Sequence, residues 1–220
     1  MVIIMVRFLT YNINRCGSLS INKCVKDILK LEADVIALQE VILDKSNKHL
    51  SKLIVDKLKG NYIFYTTLKI SNKSNYGITI ISKYPIKDNF YYLYEYQDSE
   101  TRVIIGAKIK IKSKIYWILN THLHYETKTN KKQLKELYNL VGKLNRKNLI
   151  LMGDLNIIPN NKTLKNLYDF FHTYKLENNT FSNKILDYIL VSKNIKSKFN
   201  IKTVDYKFSD HKPVILDIKL

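Results

Sequence analysis

The sequence predicts an α/β fold, two stacked β-sheets with helices outside them. Three observations lead there. Short apolar strands are interleaved with amphipathic helices in an irregular order, unlike a strict β-α repeat. Two neighbouring segments read as an antiparallel hairpin, so at least one sheet is not purely parallel. No repeat, proline-rich linker or low-complexity block interrupts the 220 residues. With 45% hydrophobic and 11% aromatic residues, the chain can bury a substantial core, and a single domain over residues 1–220 is expected.

The elements follow in order. Residues 3–11 form an apolar run ending at Asn12, the first core strand. Ile21, Cys24, Val25, Ile28 and Leu29 have helical spacing and place a helix over 19–32. Residues 34–38 make a short buried strand ending at Gln39-Glu40, and Leu50, Leu53, Ile54 and Leu58 share one face of a helix near 46–58. Residues 77–82 are a strand stopped by Tyr84-Pro85. Ile105, Ala107, Ile109 and Ile111 alternate with Lys108, Lys110 and Lys112, the period of a half-exposed strand, and pair through Ser113-Lys114 with 115–120. The tyrosines of 90–96 alternate as an edge strand would. A helix near 130–144 precedes strands at 149–153, 186–192, 195–203 and 214–219.

The formal charge of +18, from 37 Lys plus Arg against 19 Asp plus Glu, admits two readings. Only Arg7, Arg15, Arg102 and Arg146 are arginines, and the lysines are spread along the chain among Asn, Ile and Tyr. Solvent-facing lysine and polyanion binding are equally open until the charges are placed in space. No apolar run approaches the ~20 residues of a membrane span, and the apolar start is too short for a secretory signal. Cys16 and Cys24 make neither a disulfide framework nor a four-ligand zinc site. An intracellular protein, cytoplasmic or nuclear and with reduced thiols, is expected.

Function is written where polar residues meet strand ends. Asn12, Glu40, His122 and the Asp154-Leu155-Asn156 run follow apolar strands, whereas Asp187 and Asp210-His211 precede them. If the latter strands run antiparallel to the former, all these groups meet at one rim. Four carboxylates in one pocket require a compensating cation or bound protons. Oxygen donors without cysteine favour a hard ion, Mg²⁺ first and Mn²⁺ or Ca²⁺ after it.

Six blocks carry a resemblance: Leu9-Thr-Tyr-Asn-Ile-Asn14, Asp34-Val-Ile-Ala-Leu-Gln-Glu-Val41, Asn120-Thr-His-Leu123, Met152-Gly-Asp-Leu-Asn156, Leu186-Asp-Tyr-Ile-Leu190 and Ser209-Asp-His-Lys-Pro213. Together and in this order they resemble the endonuclease/exonuclease/phosphatase (DNase I-like) family over nearly the whole chain. The resemblance implies a four-layer α/β sandwich, two packed mixed sheets flanked by helices. It implies that Asn12 and Glu40 hold a divalent ion with Asp210 near it, that Asp154 orients or deprotonates the attacking water, and that Asn156 donates to the phosphate. His211, steadied by Asp187, would contact the phosphate or move a proton, and His122 matches the histidine of the DNase I-like and sphingomyelinase-like branches.

This division of labour suits phosphate-ester hydrolysis, where each well-placed base or donor supplies about 100-fold or more. Asp154 and Asn156 would point the same way from an extended segment, with Leu155 facing the core. A carboxylate behind His211 fixes its tautomer and favours the imidazolium. Arg102 is a candidate bidentate phosphate clamp or else a surface ion pair, and Tyr76 either approaches the substrate or packs in the core. His49, His124 and His172 read as surface histidines. Alone, Asn12 could cap a turn, Glu40 could be an exposed strand end, and Asp154 could satisfy its own backbone.

The subclass is narrowed by departures. The abasic-site endonuclease branch tends to carry an aspartate where Asn14 stands, a tyrosine where His122 stands, and a tryptophan-rich segment near Asp187 that is missing here. A general nuclease acting on DNA or RNA is the leading expectation, as a monomer without an obligate protein partner. Hydrolysis of phospholipids or inositol phosphates at an anionic membrane is the alternative, and an inactive binding module ranks last.

Overall fold

Alternation along the first strand sets the layers. In β1 (Met5–Asn12), Val6 and Phe8 point into the space between two sheets, while Leu9 and Tyr11 point to the outside of their own sheet. The computed structural model describes residues 4–44, 49–71, 74–97, 99–144, 147–206 and 208–220. The remaining strands are β2 (Val35–Asp44), β3 (Asn61–Ser71), β4 (Ser74–Ser82), β5 (Ile86–Leu93), β6 (Val103–Ile111), β7 (Lys114–His122), β8 (Leu149–Asp154), β9 (Asp187–Val191), β10 (Phe199–Thr203) and β11 (Val214–Lys219). The helices are α1 (Ile21–Leu29), α2 (Leu50–Leu58), α3 (Thr127–Leu144) and α4 (Lys162–Asn166).

One sheet has the order β10-β11-β1-β2-β4-β3 and the other β5-β6-β7-β8-β9. Both are mixed: β1 pairs β2 in parallel and β7 pairs β8 in parallel, and the other neighbours are antiparallel. Between the sheets lies an apolar layer that includes Phe8, Val35, Ile80, Ile105, Ile118, Ile150 and Ile189. Each such side chain contributes about 1.5–3 kcal/mol on burial. Outside the first sheet, Ile28 and Ile54 of α1 and α2 close a second cluster over Leu9 and Leu38. Outside the other, Leu134, Leu137 and Leu164 of α3 and α4 pack on Leu149, Leu151 and Leu190. The order helix, sheet, sheet, helix is the expected four-layer sandwich.

Several boundaries differ from expectation. The strand predicted to end at residue 38 runs on to Asp44, because a bulge between Leu38 and Val41 absorbs Glu40 and lets pairing with β4 resume. The helix expected near 46–58 is observed as Leu50–Leu58, and residues 46–48 lie outside the described residues. The strand expected over 195–203 begins at Phe199. Strand β3 has no clean apolar period, since most of its side chains are half-buried, and the sequence pattern does not reveal it. Strand β5 is an edge strand with alternating burial, as its tyrosines imply.

A polar cluster crosses the apolar middle. Gln39 Nε2 donates to Asn120 Oδ1 at 2.7 Å and to Thr10 Oγ1 at 3.1 Å. Asn120 Nδ2 then donates back to the carbonyls of Leu38 and Thr79 at 3.0 and 2.8 Å. All three side chains are fully buried. This bond ties the two sheets together directly beneath the rim to which the sequence assigns the chemistry.

Candidate active site

Strand register builds one side of the site. The parallel β7–β8 pairing sets His122 opposite Asp154, and the antiparallel β8–β9 pairing sets Asp154 opposite Asp187. Three adjacent strands thus present three polar side chains in a row at one end of the sheet. Gly153, at φ 146°, is required there, since a Cβ would lie 2.0 Å from the Thr121 carbonyl oxygen. The other sheet supplies Asn12 at the end of β1 and Glu40 from the β2 bulge. Glu40 has φ 57°, a left-handed conformation that turns its side chain out of the strand alternation and toward the rim. The segment leading into β11 adds Ser209, Asp210 and His211.

These groups form one connected chain. Asn12 Nδ2 donates to Glu40 Oε1 and to Asp154 Oδ2, each at 3.1 Å, so residues from both sheets meet on one nitrogen. Asn12 Oδ1 accepts from the Asn14 N–H at 3.1 Å, which fixes the amide in that orientation. His211 Nε2 lies 3.7 Å from Asp154 Oδ2, and its Nδ1 bonds Asp187 Oδ2 at 2.8 Å. Asp210 accepts from Asn14 Nδ2 at 3.1 Å and from Ser209 Oγ at 3.2 Å. Asn14, Ser209 and Thr180, whose hydroxyl accepts from the Asp187 N–H at 3.1 Å, escape sequence reasoning as supports. Ser209 adjoins Asp-His in its motif, whereas Thr180 carries no local signal.

Asn156 reaches the site by a different route from the one expected. It has φ 48°, so the segment after Asp154 turns instead of extending. The Asn156 N–H donates to Asp154 Oδ1 at 2.9 Å, and Leu155 is buried as expected. Asn156 Nδ2 contacts the Leu123 carbonyl at 3.0 Å and His122 Nε2 at 3.2 Å.

Electrostatics separate the two histidines. Burial alone would lower His211, but the hydrogen bond and charge of Asp187, with Asp154 and Asp210, outweigh it and raise the pKa to about 9. His122 is pushed well below 6.5 by burial and then by the charges of Arg102, His211 and His124. The Asn156 amide nitrogen faces His122 Nε2, so a neutral ring can accept there, and His122 Nδ1 is buried without a hydrogen-bond partner among the described residues. Asp154 is raised to about 7 by burial and by Asp187, against the opposing pull of His211 and its hydrogen bonds.

Arg102 and Tyr76 are both buried. Arg102, buried, pairs with half-buried Glu100 at 3.0 Å, and its Nη1 lies 3.5 Å from the His122 carbonyl. Burial raises the Glu100 pKa and Arg102 opposes that shift. Tyr76 is raised by burial and then by the charges of Glu40 and Glu100. Both residues are as enclosed as His122 and His211 at the rim. His124, expected at the surface, is buried: its N–H donates to Gln133 Oε1 at 2.9 Å and its Nδ1 accepts from the Glu126 N–H at 3.0 Å.

The donor set suits a hard divalent ion. Donor atoms of Asp154, Asp187 and His211 lie within 4.8 Å of one another, and Glu40 joins Asp154 through Asn12. Burial, and after it the charge of Asp187, raises Asp154, and a cation beside it would favour its ionised form. Glu40 and Asp210 offer oxygens at the open side, while the nitrogen of Asn12, not its oxygen, faces the carboxylates.

A profile of the Endonuclease/Exonuclease/phosphatase family matches residues 9–211. The chain belongs to that family. It is accordingly a metal-dependent phosphoester hydrolase with the DNase I-like architecture of two mixed sheets and flanking helices. An endonuclease/exonuclease/phosphatase family protein from Leptotrichia buccalis superposes with TM-score 0.76 at 20% identity, covering 98% of this chain and 100% of that one. A beta toxin mutant from Staphylococcus aureus with bound magnesium ions gives 0.76 at 17% identity, covering 96% and 98%. Sphingomyelinase C from Streptomyces griseocarneus gives 0.73 at 13% identity, covering 97% and 99%. At these identities the likeness is one of fold. No curated protein sequence matches the chain at a significant level. No helix among the described residues is long and apolar enough to cross a membrane.

Proposed function

We propose that the protein is a Mg²⁺-dependent phosphodiesterase that cleaves nucleic acid by attack of water on a backbone phosphate. The observation that carries this reading is the continuous run Glu40–Asn12–Asp154–His211–Asp187, which joins both sheets at one rim. Glu40 and Asp210 would hold the ion, which when bound supplies Lewis-acid stabilisation of the phosphoryl oxygens. Asp154 aligns the water and takes its proton, since its Oδ1 is braced by a backbone N–H and its Oδ2 by Asn12 Nδ2, between the two imidazoles. Cationic His211 presents Nε2 to the phosphate as a fixed positive charge, with Asp187 holding the other nitrogen. Asn156 Nδ2 exchanges its contact with His122 for a non-bridging oxygen when substrate is bound, keeping the Leu123 carbonyl. From sequence, His122 is a candidate to protonate the leaving oxygen. A neutral imidazole accepting from Asn156 instead supports a positioning role, holding that amide at the rim until substrate is bound. The net charge of +18 favours a polyanionic substrate.

The test is a panel of single-stranded DNA, duplex DNA, RNA, sphingomyelin and phosphoinositide vesicles, with Mg²⁺ or Mn²⁺ and with chelator. Asp154→Ala serves as the blank. Metal-dependent nucleic-acid cleavage lost in the variant is expected. Cleavage that persists in chelator, or in Asp154→Ala, would refute the assignment. Lipid turnover above that of nucleic acid would move the enzyme to the phospholipid branch.

A further inference from the structure

Beside the rim lies a groove of about 530 Å³, within the ~300–1,000 Å³ range of ligand sites, whose walls include Tyr125, Asn156, Ile158, Phe181 and Lys184. It shares Asn156 with the catalytic constellation, so an occupant of the groove lies next to the group assigned to the phosphate. Tyr125 is 74% exposed although its ring stacks on buried His124, with centroids 4.6 Å apart and planes 22° apart. One ring face is thus backed by protein and the other is open. Ile158 on the same groove is 48% exposed.

Immediately beyond Tyr125, α3 presents Lys128, Lys131, Lys132 and Lys135, all exposed or half-buried, at spacings that put them on one helix face. The opposite face buries Asn130, Gln133, Leu134, Leu137 and Val141. Asn130 Nδ2 donates to the carbonyls of His124 and Leu155 at 2.7 and 2.8 Å, so the lysine face is fixed relative to the Asp154–Asn156 turn. Lys132 lies over the Tyr96 ring at 4.1 Å, and no acidic residue occupies the first turn. Like charges at these spacings weaken a helix, and lysines near its amino end oppose its dipole. Glu126, just ahead of the helix and accepting from Thr129 Oγ1 at 3.1 Å, offsets one of these charges, and the four exposed lysines still favour an anion running past this face.

Resting on the nuclease reading above, we infer that the groove takes an unpaired nucleotide next to the scissile phosphate. Its base stacks on Tyr125, and the strand's following phosphates run along the lysine face of α3. The substrate class is therefore single-stranded nucleic acid, because a base within a duplex offers no free face to an aromatic ring.

The experiment measures binding of a fluorescein-labelled oligothymidylate in chelator by anisotropy over a range of salt. It compares wild type, Tyr125→Ala, the triple Lys128→Gln/Lys131→Gln/Lys135→Gln and a control pair, Lys110→Gln/Lys114→Gln. The control lysines sit where β6 and β7 join, at the opposite rim. Tyr125→Ala should weaken binding about tenfold. The triple variant should flatten the slope of log affinity against log salt by about 0.7 for each phosphate it no longer neutralises, and the control pair should leave affinity unchanged. A blunt duplex of matched length should compete poorly. Equal binding of duplex and single strand, an unaffected Tyr125→Ala, or an equal loss in the control pair would overturn the inference. Metal-dependent cleavage of duplex and single strand at equal rates would overturn it while leaving the nuclease reading intact. Vesicle hydrolysis without nucleic-acid cleavage would overturn both, and loss of vesicle binding in the same variants would reassign the face to an anionic membrane.

Discussion

Two imidazoles approach the same carboxylate oxygen from opposite sides, His122 at 3.6 Å and His211 at 3.7 Å, and they carry different charges. On the β9–β11 side, His211 is backed by the Asp187 carboxylate and holds a proton to about pH 9. On the β6–β7 side, His122 is kept neutral by burial and then by the charge of Arg102 beneath it. The lesson is that burial pushes both imidazoles toward neutrality, and that only the one with a carboxylate behind it overcomes that push.

The largest expected effect removes the carboxylate that both sides share. Asp154→Asn should lower kcat/KM about 10³- to 10⁴-fold, read on a chromogenic diester with Mg²⁺. A loss under tenfold would take Asp154 out of its assigned role. Next, Arg102→Met should destabilise the fold by about 2 kcal/mol in urea denaturation, because half-buried Glu100 keeps only the Thr67 hydroxyl as a partner among the described residues. Glu100→Gln in the same chain should recover most of that loss, and no recovery would mean that Arg102 acts elsewhere.

Asp187→Asn should cost about 100-fold in kcat, with the alkaline limb of the pH–rate profile displaced to lower pH. An unmoved limb would separate His211 from that limb. The same pair also acts on stability in chelator. His211 has a folded pKa of about 9, above its ordinary 6.5, so its contribution is full below about pH 6.5 and is lost as pH rises through 9. The stability excess of wild type over His211→Gln should shrink by roughly 2–3 kcal/mol across that window. A difference independent of pH would contradict the imidazolium.

The smallest effect belongs to the other side. His122→Gln keeps an acceptor for Asn156 and should stay within about threefold of wild type, while His122→Ala should fall about tenfold. Loss of a pH limb in His122→Gln would show that His122 carries a proton after all.

Much of this is legible in the sequence. Strand ends followed or preceded by Asn12, His122, Asp154, Asp187 and His211 mark the rim, because period-two burial leaves chain ends as the natural place for unpaired polar groups. The antiparallel entry of β9 and β11 that the convergence requires is what the sheets show. Glu40 reads as a strand terminus because a bulge has no one-dimensional signature. Asn156 reads as extended because a positive φ at an asparagine looks like any other loop residue. The burial of Arg102 and His124 is invisible for another reason: both depend on partners distant in sequence or on packing against α3, and a charged side chain reads as exposed until its partner is located. Strand β3 goes undetected because half-buried strands dilute the pattern on which such readings depend.

The bond between Gln39 and Asn120 has a consequence for how this catalyst wears out. Asn12 and Glu40 ride on one sheet, while His122, Asp154 and Asp187 ride on the other, so the working geometry is an alignment between two slabs. Greasy contact alone is indifferent to a small sideways slip. A directional amide pair set under the rim makes slippage cost a hydrogen bond, and thereby keeps the two half-sites in step during thermal motion that leaves the rest of the interior unchanged.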